Sequence, residues 1–340
     1  MSVVAKFVLT IALIAVSMAA GYFARKIGLL SPQACQKLAG RMMTFVVVFG
    51  YTAVGFLTIW GLQVRSSDFW LPAMACLHVL IMSMIGIGAG RAILARKAPA
   101  TSGGALDEDA GRAQVGLMSI ASGSGNNGFT MGGFIIYLLL GEAGLGLVTI
   151  YSLAWTPMTV LLFYPVARHY ATSGPPMALG RLMLQCVLDW RSIGLPITLA
   201  GLGLSLAGVS RPQMVVDLHM VDILVYTVTP IAYFAIGLRM FVADVWSIRR
   251  AIAALAGMRF IVAVGVGTAL VYLVCLTPWP LSDLARQVFI IEAFVPTAVT
   301  MVAVANMFNL LPRQASVLFV ANTMMYLLLV LPIVLWVYGR

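Results

Sequence analysis

A polar, glycine-rich stretch interrupts one of the long apolar runs of this sequence. It reads SGSGNNGFTMGG, and its Asn126, Asn127 and Thr130 bring amide and hydroxyl groups without a formal charge. Clustered glycines, which include Gly128 and Gly133, cost a helix roughly 1 kcal/mol each relative to alanine. The stretch therefore predicts a helix break whose polar groups can hold a solute. Tight helix packing around the glycines is the alternative interpretation.

A second break is predicted in the later run EAFVPTAVT. Pro296 lacks a backbone donor and its ring clashes with the preceding turn of a helix, and Thr297 and Thr300 add hydroxyls beside it. A broken helix exposes N–H groups with partial positive charge, on which an anion can dock. At membrane depth, irregular backbone is tolerated only where it is buried in protein or lines a wet cavity. Two such breaks in matching positions predict a central anion-binding site.

Two charged residues fall within predicted membrane segments. Glu292 lies four residues before Pro296 and is a candidate to hold a proton or to coordinate a cation. Alternatively, its carboxylate reaches the surface or pairs with Arg286. Arg259 is a candidate partner for a substrate carboxylate, and the alternative is a pair with another helix or a side chain that extends to the cytoplasmic edge.

Composition supports the membrane setting. The chain has 340 residues, of which 61% are hydrophobic and only 9% charged, far from the roughly 25% charge of a soluble domain. The net charge of +10 comes from basic residues scattered singly between apolar runs, so no nucleic-acid-binding stripe is indicated. The four cysteines show no CxxC spacing, and no metal site or cofactor is expected.

Apolar windows of roughly 20 residues predict an all-α membrane protein with ten transmembrane helices. The N-terminal run is long enough to span, which favours a first helix over a signal peptide. The ten helices are expected near 3–24, 43–62, 69–92, 114–140, 144–167, 191–209, 220–240, 251–276, 286–307 and 315–338. The first repeat would cover residues 1–168, a connector with an amphipathic segment 169–190, and the second repeat 191–340.

The distribution of basic residues predicts the orientation. Loops that follow odd-numbered helices hold most of them: Arg25, Lys26, Lys37, Arg41, Arg91, Arg96, Lys97, Arg112, Arg168, Arg181, Arg191, Arg239, Arg249, Arg250 and Arg313. The positive-inside rule then places both termini outside a plasma membrane of the bacterial inner-membrane type. Because each half has five helices, the second half enters the membrane upside down, as in inverted-repeat transporters whose broken helices, here the fourth and ninth, cross.

The sequence resembles the auxin efflux carrier family, which includes plant PIN proteins and bacterial carriers for small dicarboxylates. The resemblance rests on GYFARKIGLLSPQACQKL in the first loop, on NNGFTMGGF, and on FVPTAVTMVAVANMFNLLPRQASVLFV with LPIVLWVY. The family's crossover asparagine falls on Asn126 and its second crossover proline on Pro296. The resemblance implies a scaffold domain, a transport domain, an elevator-like movement and a homodimer.

The sequence departs from the family pattern at several positions. The proline of the first crossover is replaced by Gly133, a preceding glycine by Met131, and a proline of the second helix by Val48. Arg313 stands where an acidic residue is common. The geometry of the first crossover is therefore the least determined part of the resemblance.

These patterns predict a secondary transporter, not an enzyme, for a small organic anion such as an auxin-like carboxylate or a dicarboxylate. Its expected binding residues are Asn126, Asn127, Gly128, Thr130, Gly133, Pro296, Thr297 and Thr300. The driving force is left open among H+, Na+, and the substrate's own gradient with the membrane potential. A sodium-coupled organic-anion symporter of the bile-acid-transporter type is one alternative, and a channel is another. Motifs of intramembrane hydrolases, such as HExxH and a Gly-x-Gly-Asp, are absent from the sequence.

Overall fold

The computed structural model shows an all-helical protein. It describes residues 12–95, 105–171, 188–240 and 245–339, with a few isolated positions at 5–9 and 178–184. No β-strand occurs in these segments, and two residues from distant parts of the chain form an isolated β-bridge. The predicted connector 169–190 and the start of the predicted first helix lie mostly outside the described residues.

Twelve helices organise the part of the chain that the structure describes, and they are numbered here in order. They are α1 (12–26), α2 (Pro32–Trp60), α3 (Trp70–Ala95), α4 (Ala105–Gly123), α5 (Gly132–Ser152), α6 (155–170), α7 (Gly194–Leu206), α8 (Met220–Arg239), α9 (Arg249–Cys275), α10 (Asp283–Phe294), α11 (Val299–Met307) and α12 (Pro312–Tyr338). Short helical turns occupy Ser66–Phe69, Trp190–Ile193 and Gln213–Asp217.

Among the described residues, six helical stretches are long and apolar enough to cross a membrane, as expected for a multi-pass membrane protein. They are Pro32–Trp60, Ser66–Ile93, Gly132–Tyr170, Met220–Arg239, Arg249–Cys275 and Pro312–Tyr338. The stretch Gly132–Tyr170 has 39 residues, which would span about 58 Å as one straight helix, whereas the apolar core of a bilayer is about 30 Å thick. Gly141 breaks it with a φ of 70°.

The helices pack in two groups. In the first group, α1 and α2 pack on α8, and the last part of α2 packs on α7. Gly21 and Gly237 let α1 and α8 approach closely, because a Cβ at either position would overlap the backbone of the other helix. In the second group, α3 packs on α4 and α9, α10 packs on α5 and α9, and α11 packs on α12.

Both predicted breaks are present in the structure. The predicted helix 114–140 is divided, because α4 ends at Gly123 and α5 begins at Gly132. Likewise, the predicted helix 286–307 is divided between α10, which ends at Phe294, and α11, which begins at Val299.

Candidate functional site

The two breaks meet. The backbone N–H of Asn126 donates to the Pro296 carbonyl at 2.6 Å, and the N–H of Ala298 donates to the Ser124 carbonyl at 2.8 Å. Gly125 and Thr297 thereby form an antiparallel bridge. Backbone groups that lose their helical partners at a break must form other hydrogen bonds. Each interrupted segment here provides some of these hydrogen-bond partners to the other.

Thr297 joins the bridge to its surroundings. Its N–H donates to Asn322 Oδ1 of α12 at 2.8 Å, and its hydroxyl donates to the Ala121 carbonyl at 2.9 Å. Both Pro296 and Thr297 are buried. They therefore stabilise the crossing, which the hydrogen bonds of Thr297 attach to α4 and α12.

Gly128 and Gly133 shape the first break. Gly128 has a φ of 75°, a region that favours glycine. Its carbonyl accepts from the Gly133 N–H at 2.5 Å, and the Asn126 carbonyl accepts from the Gly132 N–H at 3.2 Å. The segment thus turns tightly before α5 begins.

Arg259 connects the ends of two half-helices. It lies in a π-helical turn of α9, Met258–Val262, and its side chain is 1% exposed. Its Nε and Nη2 donate to the Val295 carbonyl at 3.1 and 2.6 Å, and its Nη1 donates to the Ser122 carbonyl at 3.1 Å. Because the C-terminal end of a helix carries partial negative charge, one cation stabilises the ends of both α4 and α10.

Glu292 lies beside the start of α5. Its side chain is fully buried, and a Cβ at Gly132 would overlap its carboxylate. Neither carboxylate oxygen has a hydrogen-bond partner in the described structure; the Gly128 amide lies nearby but outside hydrogen-bond geometry. A carboxylate at a helix N-terminus is favoured by the partial positive charge there, and Arg259 adds a further cation in electrostatic range.

A cavity of about 360 Å³ lies in front of the crossing. Asn126, Asn127, Gly128, Thr130 and Thr300 line it, and the first-group helices α2 and α7 contribute the opposite wall. All the lining residues that the structure describes are uncharged. Of the predicted site residues, Gly133, Pro296, Thr297, Glu292 and Arg259 are not among the lining residues.

Several polar atoms around this cavity have no hydrogen-bond partner in the described structure. They are Asn126 Nδ2, Asn127 Oδ1, Tyr51 Oη and Ser152 Oγ. The other half of each amide is engaged, because Asn126 Oδ1 accepts from the Thr130 hydroxyl and Asn127 Nδ2 donates to the Tyr151 hydroxyl. The asparagines are thus held in place with one free polar atom each.

The N-terminus of α11 also lines the cavity, through Ala298, Val299 and Thr300. The first amides of a helix have no partner within the helix and carry partial positive charge. Together with the free donors, they give the cavity a character that suits an acceptor-rich or anionic solute. The N-terminus of α5 differs, because the Glu292 carboxylate lies against it.

Tyr51, Tyr151 and Ser152 are site residues that the sequence interpretation did not identify. Each lies in an apolar helix, so only a hydroxyl within an otherwise apolar run marks it. Hydroxyls of that kind usually bond within their own helix, as the Thr149 hydroxyl does with the Leu145 carbonyl. The signal was therefore present but not specific.

No group of three or more His, Cys, Asp or Glu side chains arranged to hold a metal ion occurs among the described residues. No protein-family model matches the sequence, and comparison with curated proteins finds no match either.

Proposed function

We propose that this protein is a secondary transporter that carries a small organic anion across the membrane by alternating access. The observation that carries the proposal is the meeting of two helix breaks at Gly125 and Thr297, beside a cavity with free polar atoms. In a membrane such breaks are tolerated only where they serve a buried or solvated site. A protein that only spanned the membrane would not need two of them at one point.

Ten membrane crossings in two inverted repeats are part of this proposal. Contacts between loops support it, because they join segments that the ten-helix plan places on one side. Arg211 pairs with Glu142, and the Trp60 indole donates to the Val209 carbonyl at 2.8 Å, all near predicted outer ends. Arg25 donates to the Met240 carbonyl at 2.8 Å near predicted inner ends.

The packing of the helices suits an elevator-like movement. The cavity lies between the first group, represented by Tyr51 of α2 and Thr198 of α7, and the crossing segments of the second group. If the second group carried the solute past the first, the cavity would open to each side in turn. The first group would then be the scaffold domain, and a homodimer through it is the arrangement that the family resemblance implies.

The substrate class follows from the cavity wall. Asn126 Nδ2 and the first amides of α11 would bind carboxylate oxygens, and Tyr51 and Ser152 would supply further hydroxyl donors. Because the described part of the wall carries no charged side chain, the empty site avoids the cost of a permanent charge in the membrane. A volume of about 360 Å³ suits a small mono- or dicarboxylate.

Glu292 is the coupling candidate in this proposal, with H+ or Na+ as the ion. The titratable or charged groups in its electrostatic range come from three helices: Arg259 of α9, Tyr151 of α5 and Tyr326 of α12. Tyr151 links the two sites, since it also accepts from the Asn127 amide at the cavity. Binding of a proton or sodium ion at Glu292 would thereby affect the substrate site through Tyr151.

A thermal-shift screen of small mono- and dicarboxylates, with and without sodium, tests the proposal. A ligand at 100 times its Kd stabilises a protein by about 2.7 kcal/mol, so a true substrate should raise the unfolding temperature of the wild type. Asn126→Ala with Asn127→Ala should abolish this rise. Asn306→Ala is the matched control, because Asn306 is exposed and its amide bonds within its own helix.

If a carboxylate stabilised the asparagine variant and the wild type equally, the assigned site would be wrong. Stabilisation that required sodium and disappeared in Glu292→Gln would favour the sodium-coupled symporter. Saturable uptake with counterflow in proteoliposomes is expected of a carrier, whereas ohmic single-channel currents would show a channel instead.

A further inference from the structure

A groove on the first group of helices adjoins the substrate cavity, with which it shares Met43 and Val47. It has a volume of about 720 Å³ and lies between α2 and the end of α8. Lys37, Arg41 and Arg239 line one part of it, and Phe45 and Phe49 line the other. None of the lining residues that the structure describes here is acidic.

The three basic side chains of the groove are exposed and unpaired. No ion pair or hydrogen bond joins Lys37, Arg41 or Arg239 to another described residue. Arg239 reaches over α2 at Gly40, where a Cβ would lie 3.2 Å from its Nη2. The glycine therefore allows cations from two different helices to meet at one point.

The groove is also graded along α2. Lys37 and Arg41 are one helical turn apart, and Phe45 and Phe49 follow at the same spacing. At 1.5 Å per residue, Phe49 lies about 12 Å further along the helix than Arg41. The two phenyl rings pack with centroids 5.8 Å apart and are 49% and 60% exposed. The cations thus lie at one end of the groove, and the exposed aromatic rings lie further along α2.

We propose that this groove binds one anionic phospholipid of the inner leaflet. The phosphate would lie among Lys37, Arg41 and Arg239, and an acyl chain would lie over Phe45 and Phe49. Basic pockets between transmembrane helices on the cytoplasmic side bind anionic headgroups, and the positive-inside distribution places these three residues on that side. A basic end followed by exposed aromatic rings matches the headgroup and acyl chain of a phospholipid, whereas a soluble anion would contact only the basic end.

The test compares retention of phosphatidylglycerol and phosphatidylcholine by the purified protein, measured by native mass spectrometry with titration of each lipid. The groove variant carries Lys37→Gln, Arg41→Gln and Arg239→Gln. Its control carries Arg91→Gln, Arg250→Gln and Arg313→Gln, three exposed residues outside the groove with the same change of charge. The loss of three headgroup cations should weaken phosphatidylglycerol binding by about 100-fold, while the control keeps the wild-type affinity.

Two further measurements separate the possible occupants. Phe49→Ser should weaken phosphatidylglycerol binding and leave any binding of glycerol phosphate unchanged. Thermal unfolding without lipid shows whether each variant is folded, and only folded variants are compared.

The lipid assignment is overturned by any of four results. The first is an equal loss of phosphatidylglycerol binding in the groove variant and its control, and the second is equal retention of phosphatidylcholine and phosphatidylglycerol. The third is stabilisation by glycerol phosphate as strong as that by the lipid. The fourth is loss of dimers in lipid-free Phe49→Ser, which would show the groove to be an interface between copies. The transport proposal does not depend on this outcome, because the groove and the cavity share no charged residue.

Discussion

Arg259 shows how one buried cation can hold an interrupted membrane helix together. The carbonyl ends of α4 and α10 both carry partial negative charge, and they approach each other where the breaks meet. Their mutual repulsion is offset because Arg259 donates to the Val295 carbonyl and to the Ser122 carbonyl. The planar guanidinium suits this bridging, since its donors point in fixed and different directions.

Replacement of Arg259 by methionine should destabilise the protein by about 3 kcal/mol or more, because hydrogen bonds to a charged group are lost and buried carbonyls are left unpaired. Arg259→Lys should fall between methionine and the wild type, since one ammonium cannot match the guanidinium geometry. Unfolding in mixed detergent micelles measures the free energy. Arg250→Met is the control at an exposed site, and equal stability of Arg259→Met and this control would contradict the bridging role.

Gly132 offers a second test at the residue scale. A Cβ at this position would overlap the Glu292 carboxylate, so Gly132→Ala should destabilise the protein by about 1–3 kcal/mol. Glu292→Ala should relieve the overlap, and a double-mutant cycle measures the coupling. Gly265→Ala is the matched control, because nothing lies within 4 Å of its Cβ position. Additive effects of the Gly132 and Glu292 changes would exclude the contact.

Residue types predicted part of this site and missed part of it. Asn126 and Asn127 stood out because paired amides in a glycine-rich break have little structural use, and both line the cavity. The sequence could equally place Arg259 at a substrate or against another helix, since the carbonyls that it contacts come from distant parts of the chain. Tyr51 and Ser152 could not be identified from the sequence, because tertiary packing decides which residues face them across the cavity.

At the scale of elements, the two breaks are built differently. In the second, Pro296 removes a backbone donor and its carbonyl accepts from Asn126. In the first, Gly128 makes the turn through its positive φ, and the Gly133 N–H donates to the Gly128 carbonyl. A proline at 133, which the family pattern favours, could not make this hydrogen bond.

Gly133→Pro should therefore destabilise the protein, although proline is the residue that the resemblance to the auxin efflux carriers leads us to expect at this position. The lost donor and the clash of the ring should together cost about 3 kcal/mol. Gly133→Ala separates the two causes, because it keeps the N–H while its Cβ would lie 2.6 Å from the Gly128 carbonyl oxygen. Thermal unfolding of both variants measures the effect. A proline variant as stable as the wild type would mean that the hydrogen bond from the Gly133 N–H does not stabilise this break.

The elements themselves were predictable where hydropathy or a helix breaker marks them. Pro296 and the glycines of the first break located both interruptions, and the predicted 220–240 agrees closely with α8, Met220–Arg239. The exact ends of the helices were harder to predict from the sequence, since they depend on tertiary contacts. The predicted start at 114 misses the polar first turns of α4, which begins at Ala105.

At the scale of the whole molecule, charge is kept away from the cavity surface. Arg259 and Glu292 are buried outside its lining, where backbone carbonyls and the N-terminus of α5 face them. The described lining is neutral, so an empty site could cross between the two groups of helices without an unpaired charge from these residues. In the proposed transport cycle, this property would favour return of the empty carrier.

The proposed ten crossings make a definite prediction about access from each side of the membrane. In a variant without the four native cysteines, Ser66→Cys and Ala143→Cys should react with an impermeant maleimide in intact cells, because the loops around both residues are expected outside. Arg313→Cys should react only after the membrane is permeabilised. All three residues are exposed, so side-chain burial does not prevent labelling.

Ala143 distinguishes between two topologies of the long stretch Gly132–Tyr170. If this stretch crossed the membrane once, residue 143 would lie within the bilayer and remain unlabelled from outside. If Gly141 divides it into two crossings, the turn lies at the outer surface, together with the pair between Arg211 and the partly exposed Glu142. Labelling of both Ala143→Cys and Ser66→Cys would then place an even number of crossings between them, as the proposed plan of five crossings in each inverted half requires.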